Sequence, residues 1–331
     1  MELMYKADDT RYDGTMQFRR AGKSGVLLSE ISLGLWHNFG GDNDFGTSKA
    51  MLHHAFDRGI IHFDLANNYG PPNGSAEETF GKVMKSSFLP YRSELFISTK
   101  AGHEMWPGPY GDWGSRKSLM NSIDQSLRRM NLDHVDIFYS HRYDPNTPLE
   151  ETLQALVDIV KHGKALYVGI SKYPPEAAGF AYAYLRERDV PCLLYQDRYN
   201  LLNREVEQEG LLTKAKEAGA GFVAFSPLAQ GLLSDKYLSG KVEKGSRMAL
   251  GHFLRRTALT EELLKRLNRL SEIASERGQS LAEMALAWLL KDDRVTSVIV
   301  GASSVNQLQK NLNALKNTSF STEELALIDN A

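Results

Sequence analysis

The sequence predicts an α/β chain folded as a (β/α)8 TIM barrel, with an N-terminal β-hairpin ahead of it and a long loop after its seventh strand. Three observations carry that expectation. Eight short apolar runs alternate with amphipathic helical stretches along the 331 residues. The runs are continuously apolar, as strands buried on both faces of a parallel sheet are. No linker or composition break interrupts the series. Residues 16–331 are therefore expected to form a single barrel, and the polar residues 1–15 a loose tail. A doubly wound sheet is the structural competitor.

The elements follow in order. "MQFRRAGKSGVLL" reads as a hairpin turning at Gly22–Gly25. The barrel strands are then "ISLGL", "IHFDL", "LFIST", "VDIFYS", "ALYVGI", "CLLYQ", "GFVAFS" and "SVIVG". Helical patterns such as "SKAMLHHAFDRG", "SAEETFGKVMKS", "SRKSLMNSIDQSLRRMN" and "PLEETLQALVDIVKHG" lie between them, several closing on Gly or Asn as helix C-termini do. An extra helix is expected before the eighth strand. Residues 227–259 show no clear helix until "TEELLKRLNRL" and carry Lys236, Lys241, Lys244, Arg247, Arg255 and Arg256 against Asp235 and Glu243. A basic loop of that length at the active rim of a barrel suits an anion clamp.

Composition narrows the function. At 42% hydrophobic and 24% charged residues the chain can build an ordinary core. A net charge of −2 gives no electrostatic case for nucleic acid or an anionic membrane. No apolar run is long enough to span a bilayer. The single cysteine, Cys192, excludes an intramolecular disulfide and a Cys-rich zinc site. The polar start and the cysteine usage fit a cytoplasmic location. The histidines show no metal spacing, and the adjacent His53 and His54 point apart on a helix. "GAGFVA" matches G-x-G-x-x-A but precedes a strand, where a dinucleotide fingerprint must follow one.

Polar residues at the C-terminal ends of barrel strands are catalytic candidates. The second strand ends at Asp64 with Tyr69 in its loop, the third at Lys100 and the fourth at His141. A phenol is a weak acid near neutral pH, and a nearby ammonium lowers its pKa by favouring phenolate. Lys100 can supply that charge, Asp64 can hold Lys100 protonated, and His141 can position a carbonyl oxygen. The set suits proton donation to a carbonyl that receives hydride. Ser171 and Gln196 end the fifth and sixth strands, and Phe225 and Ser226 the seventh, an amide-recognising pair with an aromatic platform for a nicotinamide. "VGASSVNQLQKN" turns into a helix whose N-terminus suits phosphate.

These motifs resemble the aldo-keto reductases from about residue 16 onward: "FDLANNYG", "ISTK", "FYSHR", "VGIS", "FSPLAQGLL" and "VIVGAS" occur in the family's order. The resemblance implies NADPH bound across a barrel mouth and a tetrad of Tyr69 as proton donor, Lys100, Asp64 and His141. It implies that Ser171, Gln196 and Phe225 hold and stack the nicotinamide, that Ser226, Leu228 and Gln230 line the pyrophosphate, and that Lys236, Ser246 and Arg247 grip the 2′-phosphate. Ser303, Gln307 and Asn311 would hold the adenosine end, and Trp36 and Gly301 would also bind the cofactor. Where many relatives have Ser-Asn this chain has Ser171-Lys172, so Lys172 is left outside the expected site.

"ANNYGPPNGSAEE", "WPGPYGDWGSRK" and "YNLLNR" are similar to the branch holding the potassium-channel β subunits and the bacterial L-glyceraldehyde 3-phosphate reductases. That likeness implies reduction of small aldehydes, L-glyceraldehyde 3-phosphate first and methylglyoxal-type 2-oxoaldehydes second, by a homo-oligomer (tetramer or octamer). Trp106 and Trp113 are expected to wall the substrate pocket, and Arg116 at a helix N-terminus to meet a substrate phosphate. Two other classes compete: a cofactor-sensing regulatory subunit with little turnover, and a lyase using Lys100 as a Schiff-base nucleophile.

Overall fold

The computed structural model describes residues 5–240, 257 and 259–331. β1 (Phe18–Arg20) and β2 (Leu27–Ser29) form the antiparallel hairpin. Eight parallel strands then close into a barrel in chain order: β3 (Ile31–Gly34), β4 (His62–Asp64), β5 (Phe96–Ala101), β6 (Val135–Ser140), β7 (Ala165–Ser171), β8 (Cys192–Arg198), β9 (Gly221–Phe225) and β10 (Val295–Val300). Closure is made by β10 against β3, with Val298 opposite Ile31.

Each strand sends alternate side chains to two cores. On β6, Ile137 and Tyr139 join Phe96, Leu194 and Val223 inside the barrel, while Phe138 between them faces the helices. The outer layer is built from α1 (Phe45–Asp57), α2 (Ser75–Val83), α3 (Arg116–Met130), α4 (Leu149–Lys161), α5 (Pro175–Arg186), α6 (Glu205–Gln208), α7 (Leu211–Ala218), α8 (Glu261–Glu276), α9 (Leu281–Leu290), α10 (Val305–Leu312) and α11 (Thr322–Asp329). Their ends follow local chemistry. Asp44 accepts from the Thr47 amide to start α1, and Ser115 from the Ser118 amide to start α3. Asn131, at φ 55°, ends α3 in the left-handed conformation. α9 is apolar on all sides and buried, and a reciprocal Ser280–Glu283 capping box starts it.

The hairpin closes the N-terminal end of the barrel. Ala21 and Leu28 belong to the interior cluster, and the Lys23 amide donates to Gly219 O at 2.9 Å. Arg19 ties the hairpin to the start of β10: it pairs with Glu30 at 2.7 Å and donates to the carbonyls of Leu290, Asp292 and Val295. With this end filled, the opposite mouth is the open one.

Residues 5–15 correct the expectation of a loose tail. Tyr5 stacks on His53 at 3.8 Å and donates to Asp57 at 2.7 Å. The Ala7 amide donates to the Tyr91 hydroxyl, and Arg11 pairs with Glu94 at 2.8 Å while lying over Phe56. A few anchors among polar neighbours hold the segment, and a reading by average polarity overlooks them.

Gly169 on β7 leaves room for a neighbour inside the barrel: a Cβ there would lie 2.4 Å from the Tyr139 ring and 2.8 Å from Leu194 O. Gly169→Ala is expected to destabilise the fold by about 1–3 kcal/mol through overpacking. A urea midpoint equal to that of the unchanged chain would refute this packing account.

Candidate active site

The strand ends carry a buried, fully hydrogen-bonded charge pair. Lys100 on β5 has no solvent exposure. Its Nζ donates to Asp64 Oδ2 at 2.7 Å, to Leu65 O at 2.6 Å and to the Tyr69 hydroxyl at 3.2 Å. Burial pulls the ammonium's pKa down, but Asp64 and Tyr69 outweigh it and the net shift is upward. Lys100 is thus a held cation, not a free amine. Asp64 Oδ1 accepts from Ser98 Oγ at 2.7 Å and from Gln196 Nε2 at 3.1 Å.

Tyr69 reaches this pair from the loop after β4. Burial pushes its phenol up, and Lys100 offsets only part of that rise, so the net shift is upward. This corrects the expectation of a lowered pKa: desolvation exceeds the effect of the ammonium. His141 follows β6, with its ring 6.0 Å from that of Tyr69. Burial, then the Lys100 charge, hold the His141 pKa well below the ordinary value, so the imidazole is neutral.

Beneath Asp64 runs a polar column inside the barrel. Ser98 Oγ lies 3.1 Å from His62 Nε2, and His62 Nδ1 lies 2.8 Å from Ser32 Oγ. Ser32 meets Ser297 at 2.5 Å, and Ser297 lies 2.7 Å from Ser29 O at the hairpin end. Burial lowers the His62 pKa to about 4, so its ring is neutral.

Above the pair opens a cavity of about 690 Å³, a size that suits a small ligand together with part of a larger one. Trp36, Ser171, Gln196, Phe225, Ser226, Leu228, Gln230, Lys236, Gly301, Ser303 and Gln307 line it, with Asp64, Tyr69 and His141 at its floor. Ser171 Oγ and Gln230 Oε1 are buried there without a hydrogen-bond partner. Both fit a ligand rich in donors and acceptors, such as a dinucleotide. Ser226, Ala229 and Gln230 hold positive φ, which turns the loop after β9 tightly around the rim.

With this geometry in view, the chain's relatives are informative. The model of the aldo/keto reductase family matches residues 30–331. The chain belongs to the aldo/keto reductase family. It is 57% identical over 331 residues to the L-glyceraldehyde 3-phosphate reductase of Escherichia coli strain K12, covering 99% of this chain and 95% of that protein. It is 37% identical over 305 residues to a probable voltage-gated potassium channel subunit beta of Oryza sativa subsp. japonica, covering 91% of each. The reductase family works with NAD(P)H, and the chain is an oxidoreductase.

Other expected site residues of this reductase lie elsewhere. Arg116 pairs with Asp158 on α4, and its amide donates to the Glu151 carboxylate at 2.9 Å. The N-terminus of α3 thus already holds a carboxylate, and Arg116 is not part of the cavity lining. Trp106 and Trp113 are also outside the lining; Trp113 is exposed and stacks under Arg142 at 3.5 Å. Asn311 is buried one helical turn beyond Gln307, its amide nitrogen unpartnered, without lining the cavity. Ser246 and Arg247 fall outside the described residues.

Sequence reasoning missed His62, His103, Lys172 and Arg198. The last three line the cavity. His62 had a signal: it stands two residues before Asp64 on one strand, so both share a face. Lys172 and Arg198 had one too, as cations at the ends of β7 and β8.

Removing Ser98 tests the column. Ser98→Ala takes a donor from Asp64 and leaves His62 Nε2 without its partner. The expected cost is about 1–3 kcal/mol of stability, read from chemical denaturation. An unchanged stability would mean that the column does not hold Asp64.

Proposed function

We propose that the chain is an NADPH-dependent reductase of small aldehydes, with L-glyceraldehyde 3-phosphate as its substrate and methylglyoxal-type 2-oxoaldehydes as secondary ones. The observation that carries this reading is the Lys100–Asp64 pair in contact with the Tyr69 hydroxyl at the cavity floor. The name and the 57% identity of the Escherichia coli relative support the substrate.

A bound nicotinamide supplies hydride to the carbonyl carbon. Ser171 and Gln196 fit its amide, Phe225 its ring, and the loop after β9 its phosphates. The protein's own residues manage the proton. Tyr69 gives its hydroxyl proton to the carbonyl oxygen as negative charge builds there. Lys100 stabilises the phenolate that remains, and Asp64 keeps Lys100 charged and aimed. A neutral imidazole has one N–H, and His141 uses it to orient the same oxygen. Because Lys100 is charged and saturated with acceptors, a Schiff-base role does not suit it. The assembled catalytic set also disfavours a purely regulatory subunit.

Tyr69→Phe is expected to lower kcat by about 100-fold or more, with NADPH binding retained in a fluorescence titration. Full activity in that variant would overturn the proton-transfer role. The pH dependence gives an independent check. The reactive form of Tyr69 is protonated, so kcat/KM falls as pH rises through its pKa. Lys100→Met removes the charge that favours phenolate, so the basic limb of the pH profile should move to higher pH while the plateau drops. A limb that moved down would reverse the role given to Lys100.

The NADPH preference rests on Lys236 and Arg247. Arg247→Ala should raise the KM for NADPH far more than that for NADH, and equal effects would refute a 2′-phosphate clamp. The expectation of a cytoplasmic tetramer or octamer belongs to this reading, and light scattering on the purified chain tests its oligomeric part.

A further inference from the structure

The cavity carries positive charge that its own lining does not neutralise. Asp64 is the only carboxylate in that lining among the described residues, and it is committed to Lys100. Lys172, Arg198 and Lys236 supply cations to the same lining. Lys236 lies on the long loop after β9, toward the side assigned to the cofactor. The other two stand at the ends of β7 and β8.

Lys172 is half-buried in a left-handed conformation, φ 55°. Its Nζ lies 2.9 Å from His103 Nε2 and makes no ion pair among the described residues. The carboxylate that acts on it belongs to Asp197, whose oxygens accept from the Tyr195 hydroxyl at 2.8 Å and from the Arg198 amide at 2.7 Å. Burial, then Lys100, lower the Lys172 pKa to about 8, with Arg142 and Arg198 adding to the effect. The Arg198 side chain also has no ion pair among the described residues. Arg142, by contrast, is engaged: it pairs with Asp112 at 2.6 Å and donates to Gly102 O at 2.7 Å.

His103 links these cations to the catalytic floor. Its ring meets His141 edge-on with centroids 4.4 Å apart. Burial, then the Lys172 charge, lower its pKa to about 4, so it is neutral and accepts from Lys172. Lys172, half-buried without a counter-charge, carries a desolvation cost that an arriving anion relieves, and Arg198 stands exposed at the rim beside it.

The geometry points to a phosphate subsite made by Lys172, Arg198 and His103, which takes the phosphate of a short aldehyde whose carbonyl meets Tyr69 and His141. This inference rests on the reductase reading. It moves the phosphate from the loop after β5, where Arg116 is already paired, to the strand ends of β7 and β8. The cofactor is the other claimant for the same cation, because Lys172 Nζ also lies 5.8 Å from the centre of the Phe225 ring, which the reductase reading gives to the nicotinamide.

The test compares one aldehyde with and without its phosphate. The unchanged chain and the Lys172→Met, Lys172→Arg and Arg198→Ala variants are assayed with NADPH on glyceraldehyde 3-phosphate and on glyceraldehyde. A lost charge-assisted contact predicts a fall in kcat/KM of about 10–100-fold for the phosphorylated aldehyde in Lys172→Met, mostly through KM. The loss on glyceraldehyde should stay within about three-fold, and Lys172→Arg should recover most of the activity. Inorganic phosphate should inhibit glyceraldehyde reduction competitively in the unchanged chain and far less in Lys172→Met. Equal losses on both aldehydes, or a raised KM for NADPH with both, would overturn the subsite and give the cation to the cofactor. No loss on either aldehyde would also overturn it. If the unchanged chain reduces glyceraldehyde but gains nothing from the phosphate, the subsite falls and the reductase reading stands. If it reduces neither, the reductase reading falls.

Discussion

The Lys100 ammonium sits inside the barrel without solvent, and it is stable there because Asp64 faces it at 2.7 Å and Leu65 O at 2.6 Å. Burying either ion alone would cost several kcal/mol even after relaxation. Each therefore requires the other, and each requires its remaining lone pairs or protons to be met. Asp64 obtains Ser98 from the neighbouring strand and Gln196 from across the mouth. That requirement accounts for much of the site: why strands of apolar residues end in polar ones, and why those ends converge at one pole. Once the pair is in place, Tyr69 is the partner of Lys100 that brings a hydroxyl to the cavity.

Much of this was legible in the letters. Eight continuous apolar runs separated by helical periods leave few architectures, and strand polarity then puts Asp64, Lys100 and His141 at one mouth. What could not be read was how each charge is spent. Arg116 is a cation at a helix start in either description, but a carboxylate from the neighbouring helix lies outside any local pattern. The Tyr69 pKa turns on a balance between burial and one charge, and sequence supplies the charge without the depth of burial. The tail misled for a related reason. Tyr5 and Arg11 are anchored by residues some fifty to eighty positions away, so their neighbours in sequence gave no sign of it.

The cavity divides by the origin of its walls. The loop after β9 and the turn after β10 bring small residues, backbone at positive φ and the unpartnered Gln230 Oε1, which suits an extended, flat ligand. The ends of β6, β7 and β8, with His103 after β5, bring histidines and cations close to the reacting position. The first wall is loop and can vary in length without disturbing the barrel. The second is tied to the sheet: Arg198 ends β8, and His103, His141 and Lys172 stand one or two residues beyond the ends of β5, β6 and β7. On the reductase reading, the larger ligand and the smaller one would meet different parts of the scaffold.

The serine–histidine column below Asp64 has an electrical consequence. With His62 neutral, the column from Ser29 O to Asp64 has one proton fewer than it has hydrogen-bond contacts. One contact always lacks its proton; rotation of the hydroxyls can hand that gap from link to link on one side of the imidazole, and its passage across His62 takes a change of tautomer. The barrel interior therefore holds a dipole whose direction is adjustable, running from the hairpin plug to the carboxylate. On the reductase reading, as the proton leaves Tyr69 and phenolate charge builds beside Lys100 and Asp64, the column can reorient beneath them without any movement of the backbone.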